Sequence, residues 1–438
     1  MSERSFRTAP TAAAAIVSPS PGRFRWVIVG LLFLITVVNY MDRQVLGLLK
    51  PDYLQKQFHW SELDFGRINI AFQASYAIGQ AAFGPFIDWA GTRSAYAVAV
   101  VFWSLAAMAH ALTRTVLGFG GARFALGLGE SGNFPVAIRT LTEWFPARER
   151  SLAVGIFNTS TNLGGMFAPL LVPWLAWNFG WRGTFVALGL AGLAWLALWY
   201  LYYASPERST RIGAAERAHI IGDAERARQV KIPWRRLLRY REAWAYYGTC
   251  VLVGPVWWFY GFWLPDFFSK QFHLDLMHFG PPLVVVYAAA GLGSVAGGWL
   301  SSALLARGWP LNRARKAALL VCACCTLPVI LSTQVGSVWL ATLFFALAAA
   351  AHQGWSATMY ATVADLFPQR AVASVVGFGG MLASVVSMGF FWLVSTILQG
   401  EGTYVVIMRI CGSAYVAAWL IFQLAAPRIR PVALDPAP

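Results

Sequence analysis

Charge is what this sequence lacks. Of its 438 residues only 12% are Asp, Glu, Lys or Arg, and 58% are hydrophobic. A soluble domain carries about 25% charged residues. No soluble core could bury so much apolar sequence, so an ordinary globular protein is excluded and the chain reads as a polytopic membrane protein. Acids are scarcer than bases, 19 against 34, for a net charge of +15. The bases are spread through the segments between apolar runs, which excludes a nucleic-acid patch and makes them markers of membrane topology. Cysteine is sparse too. Cys250, Cys322, Cys324, Cys325 and Cys411 all fall in apolar runs. Cys322, Cys324 and Cys325 have neither a neighbouring His or carboxylate nor zinc-site spacing, so they read as small helix residues, not as a metal site or disulfide framework. No nucleophile motif and no pair of carboxylates at a membrane face appears, which leaves a membrane enzyme a distant alternative. A non-transporting sensor is equally distant, because no signalling domain is appended and the central loop is short. No catalytic or metal residue is therefore assigned. The Ala12-to-Val17 run is too short for a signal-peptide core, and residues 1–24 are expected to be a cytoplasmic tail.

What the sequence does have is apolar runs of membrane-crossing length, about 20 residues each. Twelve are expected. Six lie near 26–48, 65–87, 95–113, 117–140, 151–176 and 182–203, and six near 244–268, 281–305, 315–333, 337–363, 372–398 and 403–426. This predicts an all-α protein with six-helix bundles at 25–203 and 243–427. A cytoplasmic linker at 204–242 joins them, and a cytoplasmic tail follows at 428–438. Ser205 to Glu242 holds ten Lys/Arg and five Asp/Glu. Placing that segment inside the cell also puts the other basic loops and both termini there. Within it, Ala214 to Arg228 is expected to form a surface helix.

The two sets are related. Glu143-Trp144-Phe145-Pro146-Ala147-Arg148 recurs as Asp365-Leu366-Phe367-Pro368-Gln369-Arg370, and Gly155 and Gly377 keep the same spacing. Parallel repeats of six spans are a transporter architecture, with the site at mid-membrane between the halves.

Against this background a charge inside a span is conspicuous, because each costs roughly 2.5–3.5 kcal/mol at a helix centre. The first half has Asp42, Arg43, Arg123 and Glu130. The second has Asp266 and Lys270, near the end of a span, and where the first half has Glu130 it has His352-Gln353-Gly354-Trp355-Ser356. Arg123 and Glu130 lie on one helix face about 10 Å apart along the axis, too far to pair easily with each other, so each is expected to meet something else. Asn39 and Arg43 share a face. Arg43 has no evident structural need, and a guanidinium suits bidentate carboxylate recognition, so it is expected to hold an organic anion. Asp42 points about 100° away around the helix. A carboxylate in low dielectric can load and release a proton near neutral pH, which gives Asp42 and Glu130, with Arg123, the proton. Neutral groups expected at the substrate are Tyr40, Tyr76, Asn158, Asn162, Gln353, Trp355 and Ser356, with Trp258 and Tyr260 chosen from the aromatic run 257–263. His110, His273 and His278 read as interface or loop residues. Gly84, Asp88, Gly91 and Arg93 after the second span, with Glu143 and Arg148, are expected to form a cytoplasmic gate.

These blocks resemble a known family. Gly84-x-x-x-Asp88-x-x-Gly91-x-Arg93 resembles the signature loop of the major facilitator superfamily, with Trp89 and Thr92 at positions usually basic. Asn39-Tyr40-Met41-Asp42-Arg43, Gly127-Leu128-Gly129-Glu130-Ser131-Gly132-Asn133-Phe134-Pro135, Glu143-Trp144-Phe145-Pro146 and Gly155-Ile156-Phe157-Asn158 resemble its anion:cation symporter branch. Pro255-Val256-Trp257-Trp258-Phe259-Tyr260, Ala296-Gly297-Gly298-Trp299-Leu300 and His352-Gln353-Gly354-Trp355-Ser356 are most similar to bacterial hexuronate transporters. Gly254, Gly291, Asp266 and Thr358 depart from that pattern. The resemblance implies a monomer in the bacterial inner membrane that imports a sugar acid such as galacturonate or glucuronate with protons and no cofactor. It implies substrate contact for Arg43 and Tyr40 and proton coupling for Asp42, Arg123 and Glu130. An aldonate, tartrate or aromatic carboxylate stays open as the substrate.

Overall fold

The computed structural model describes residues 22–221 and 234–432, except for side chains at 147–148, 151, 221, 234–235, 369–370 and 373. The expected tails at 1–24 and 428–438, the linker 204–242 and the rest of its Ala214 to Arg228 helix thus lie partly outside the described residues. Those residues are helical, with no strand among them. Eight helices are long and apolar enough to cross a membrane. The first is α1, Phe24–Leu49. Next comes α2, Glu62–Ala109, which starts on a capping box in which Ser61 and Asp64 bond each other's backbone N–H.

Two of the long helices each contain two spans. In α2 the reversal is at Gly91, with φ 72° and ψ 159°. In α5, Ala147–Tyr202, it is at Gly180, with φ 69° and ψ 170°. Only glycine takes these angles without strain. Packing confirms that the chain turns back at each. A Cβ on Gly127 would meet Phe72, and one on Gly129 would meet Trp103, so residues on both sides of Gly91 lie against one helix. Gly164 abuts Tyr40 and Val37 of α1, and across Gly180 Trp195 donates to the Leu31 carbonyl of the same helix. Between α2 and α5 one span is split into α3, Val116–Glu130, and α4, Asn133–Trp144. The second half comprises α6 (Arg241–Phe272), α7 (Gly280–Ala306), α8 (Leu311–Thr326), α9 (Val338–Leu366), α10 (Gln369–Glu401) and α11 (Val405–Ala425). The eight candidate helices, with two reversals and the α3–α4 and α6 crossings, make twelve spans among the described residues.

The repeated loop folds the same way twice. Phe145 and Phe367 are both extended and end their helices, and Pro146 and Pro368 both start the next with φ −62°. Proline suits that position because it has no N–H to leave unpaired. Small residues set the closest approaches, as is general for helix packing in lipid. A Cβ on Gly297 of α7 would lie 2.2 Å from the Gly354 Cα of α9.

Beyond α5 the expected surface helix differs from the structure. Ala214–Ile221 is helical, but Glu216 is buried and accepts from Arg25 at 3.2 Å. That ion pair ties the linker to the start of α1. His110, expected at an interface or in a loop, lies just past the end of α2. It is fully buried and stacks on Phe185, with ring centroids 4.8 Å apart.

Candidate functional site

The charged groups of α1 and α3 converge. Arg43 donates from Nε to Glu130 at 2.9 Å and from Nη2 to Asn39 at 3.4 Å. Arg43, which had no evident structural need in the sequence, thus has an internal acid as a partner. Seven residues separate Arg123 and Glu130 along α3, and Arg43, entering from α1, takes the acid instead. Arg123 turns the other way and donates to the Arg43 carbonyl. Asp42, next to Arg43 in the chain, is buried. One oxygen each of Asp42 and Glu130, and Nε and Nη1 of Arg123, have no hydrogen-bond partner among the described residues.

Aromatic rings wall the guanidinium. Its Cζ lies 4.6 Å from the Tyr40 ring centre, 5.0 Å from Tyr76, 5.1 Å from Trp258 and 5.6 Å from Phe72. Arg123 lies 4.8 Å from Phe72 and 5.4 Å from Phe262. Ring faces attract a cation by about 0.5–2 kcal/mol, more as water is removed. Two buried arginines therefore keep their charge among apolar walls, and Trp258 and Phe262 bring the second half against them. Sequence reasoning did not find Phe72 and Phe262. Phenylalanine is abundant in membrane helices, and nothing in its spacing marks a ring that faces a cation.

The structure does not bring the other candidates together uniformly. Asn162 accepts from Gln353 at 3.0 Å, a polar contact between the halves. Asn158, one turn earlier, is exposed and donates to none of the groups around Arg43. Trp355 packs edge-on against Tyr415, and Ser356 is half-buried beside it in sequence. Tyr260 points away from Arg43, into the second half, with its ring on Phe345. In its helix Trp258 and Tyr260 lie about 200° apart, so only one of them can face the first half. His352 stacks flat on Trp257, with centroids 4.4 Å apart, and bonds Tyr415.

A family model for the Major Facilitator Superfamily matches residues 32–391. The chain belongs to the Major Facilitator Superfamily. It is 32% identical to a galacturonate transporter of Dickeya chrysanthemi over 280 residues, 63% of this chain and 81% of that one. It is 29% identical to a hexuronate transporter of Escherichia coli strain K12 over 383 residues, 85% of each. The xylose transporter XylE of E. coli, solved inward open, superposes with a TM-score of 0.70 at 15% identity, covering 92% of this chain and 96% of that one. The protein is thus a multi-pass transporter and not an enzyme.

In this Major Facilitator Superfamily chain Glu143, expected at the cytoplasmic gate, collects three donors, none of them another residue of the expected set. It accepts from Thr92 at 2.8 Å, from Arg139 at 2.9 Å and from Tyr203 at 3.0 Å. Asp88 is exposed, 4.0 Å from Arg139. Arg93 caps the Tyr200 carbonyl at 2.8 Å, Gly91 makes the reversal, and Gly84 is exposed one turn before Asp88. The side chain of Arg148 lies outside the described residues. The repeat carries part of this arrangement into the second half, where Arg315 donates to Asp365 at 2.8 Å.

Proposed function

We propose that this transporter is a proton-coupled importer of a sugar-acid monoanion, a hexuronate such as galacturonate or glucuronate, working by alternating access. It sits in the inner membrane with both termini in the cytoplasm. The observation that carries the reading is the Arg43–Glu130 pair inside its aromatic box. A guanidinium already bonded to an internal carboxylate can bind a second carboxylate well only if the first is neutralised. Protonation of Glu130 removes the competing charge and turns the fork of Arg43 toward the substrate. Loss of that proton returns Glu130 to Arg43 and expels the anion. Asp42, buried and with one oxygen lacking a hydrogen-bond partner among the described residues, would take a second proton. Tyr40, Tyr76 and Trp258 offer hydroxyls and ring faces to the sugar, and Asn162 and Gln353 offer amides from opposite halves. The similarity to galacturonate and hexuronate transporters supports the substrate class.

Reconstituted protein tests this. With an inward proton gradient, the wild type is expected to accumulate labelled galacturonate, and Arg43→Ala to abolish both binding and uptake. Glu130→Gln is expected to keep counterflow exchange and lose gradient-driven accumulation. Normal accumulation by Glu130→Gln would remove the proton role of that residue. Thermal stabilisation of purified protein by aldonates but not by hexuronates would move the substrate to the other organic anions.

A further inference from the structure

Four charges meet where the halves touch, at the end of the bundle away from the described chain ends. Lys50 follows α1, and Glu62 opens α2. Asp266 and Lys270 lie one turn apart near the end of α6. Lys50 Nζ reaches Glu62 at 2.8 Å and Asp266 at 2.7 Å. Lys270 Nζ reaches Glu62 at 2.5 Å and Asp266 at 3.0 Å. The group is a ring of alternating sign. Lys50 and Asp266 are almost wholly buried, and Tyr404 donates to the second oxygen of Asp266. Other contacts between the halves surround it. Glu62 N donates to Gln399 at 3.0 Å, Leu276 N donates to Asp52, and Gly47 and Gly66 lie directly against Phe262 and Ser395.

We infer that this ring is a latch between the halves, arranged so that it parts without stranding a charge. Two of its bonds cross the interface, Lys50–Asp266 and Lys270–Glu62. The other two, Lys50–Glu62 and Asp266–Lys270, lie within one half each and are already formed. When the halves separate, each takes away one cation and one anion in contact, so each is neutral. Leaving a lone buried charge would cost several kcal/mol, and this partition avoids it. The attraction across the interface is that of two opposed neutral pairs. It falls off faster with distance than the attraction of two opposite net charges, so the latch holds firmly when closed and lets go after a small movement. Alternating access requires both properties. The inference rests on that cycle alone and is independent of which anion is carried.

Reversing one crossing pair tests it. Lys50→Asp with Asp266→Lys gives the first half two acids and the second two bases. Every contact across the interface is then attractive, and every contact within a half is repulsive. A device that is only a staple would work as well or better. A latch that must open would jam. The reporter is the thiol introduced by Ser395→Cys, which is buried against Gly66 when this end is closed. Its alkylation is followed by peptide mass spectrometry of the full chain in detergent, where both faces are reachable. The double substitution is expected to slow alkylation by ~10-fold or more, since a single like-charge contact at this range outweighs the 1.4 kcal/mol of a tenfold shift. Reversing all four signs restores the alternation and is expected to return the rate to within about twofold of the parent, because the same partition is rebuilt. Alkylation as fast as the parent in the double variant, or as slow in the fourfold variant as in the double, overturns the latch. If the first double variant does not fold, Glu62→Lys with Lys270→Glu imposes the same charge segregation and is read by the same criterion.

Discussion

Arg43 has one more partner than it can serve. It is an internal ion-pair partner for Glu130, and its geometry suits an external carboxylate. Removing one member of a buried pair leaves the other uncompensated, at a cost of about 3–5 kcal/mol. Arg43→Ala is therefore expected to lower the melting temperature of the purified protein markedly. Adding Glu130→Gln should recover most of the loss, because the amide has no charge to strand. A double variant as unstable as Arg43→Ala alone would mean that the aromatic box, not the ion pair, needs the guanidinium. The charges themselves were legible in sequence, because a charge in an apolar run is costly and stands out. Their pairing was not. Periodicity says which residues of one helix share a face, but 87 residues separate Arg43 from Glu130, and only the packing of α1 on α3 joins them. Lys50 and Glu62 were overlooked, and Lys270 was noted without its partners, for the related reason that charges at span ends resemble ordinary loop charges.

At the scale of elements, much depends on where helices begin and how closely they approach. Glu149, at the foot of α5 outside its apolar stretch, accepts from Arg25 at the foot of α1 at 2.8 Å and from His219 of the linker helix at 3.0 Å. The hydrogen bond from Arg25, and then that from His219, hold the Glu149 carboxyl below its ordinary value of 4.5. A carboxyl depressed on folding contributes stability that is full above its unfolded value and is lost as pH falls through the folded one. The wild type is thus expected to melt higher than Glu149→Gln at pH 7, with the difference shrinking below about pH 4.5 as the acid is protonated. A difference that is constant from pH 7 to pH 3 would count against the ion pair. The contact of α7 with α9 gives a sharper test. Gly297 has no room for a side chain beside Gly354, so Gly297→Val should cost about 1–3 kcal/mol by overpacking. Gly298, the next residue, has open space at its Cβ, and Gly298→Ala should be near neutral in the same melting assay. Span counting left Gly91 and Gly180 between spans, and the repeat marked two Phe-Pro loops, but neither showed which residue makes the turn. The sequence could not say which of the two adjacent glycines carries the packing.

For the molecule as a whole, the division of charge between the halves bears on energetics. The first half carries the acids and arginines at the centre. The second offers Trp258, Gln353 and a histidine already bonded to Tyr415. Asp266 and Lys270, at the end of its first helix, are committed to each other and to the first half. On the proposed reading one cation faces one substrate carboxylate, which fits a monoanion, and Asp42 and Glu130 would provide two places for protons. If both load with each anion, one net positive charge enters per cycle. An inside-negative potential of 100 mV then contributes about 2.3 kcal/mol per charge, roughly a 50-fold gain in accumulation. In proteoliposomes with no pH gradient, a potassium diffusion potential of that size should by itself drive galacturonate inward. Asp42→Asn, left with one proton for one monoanion, should lose the response to potential while still responding to a pH gradient. Uptake by the wild type that follows pH but ignores the potential would mean one proton per anion, and Asp42 would then be a fixed partner of Arg123 rather than a carrier.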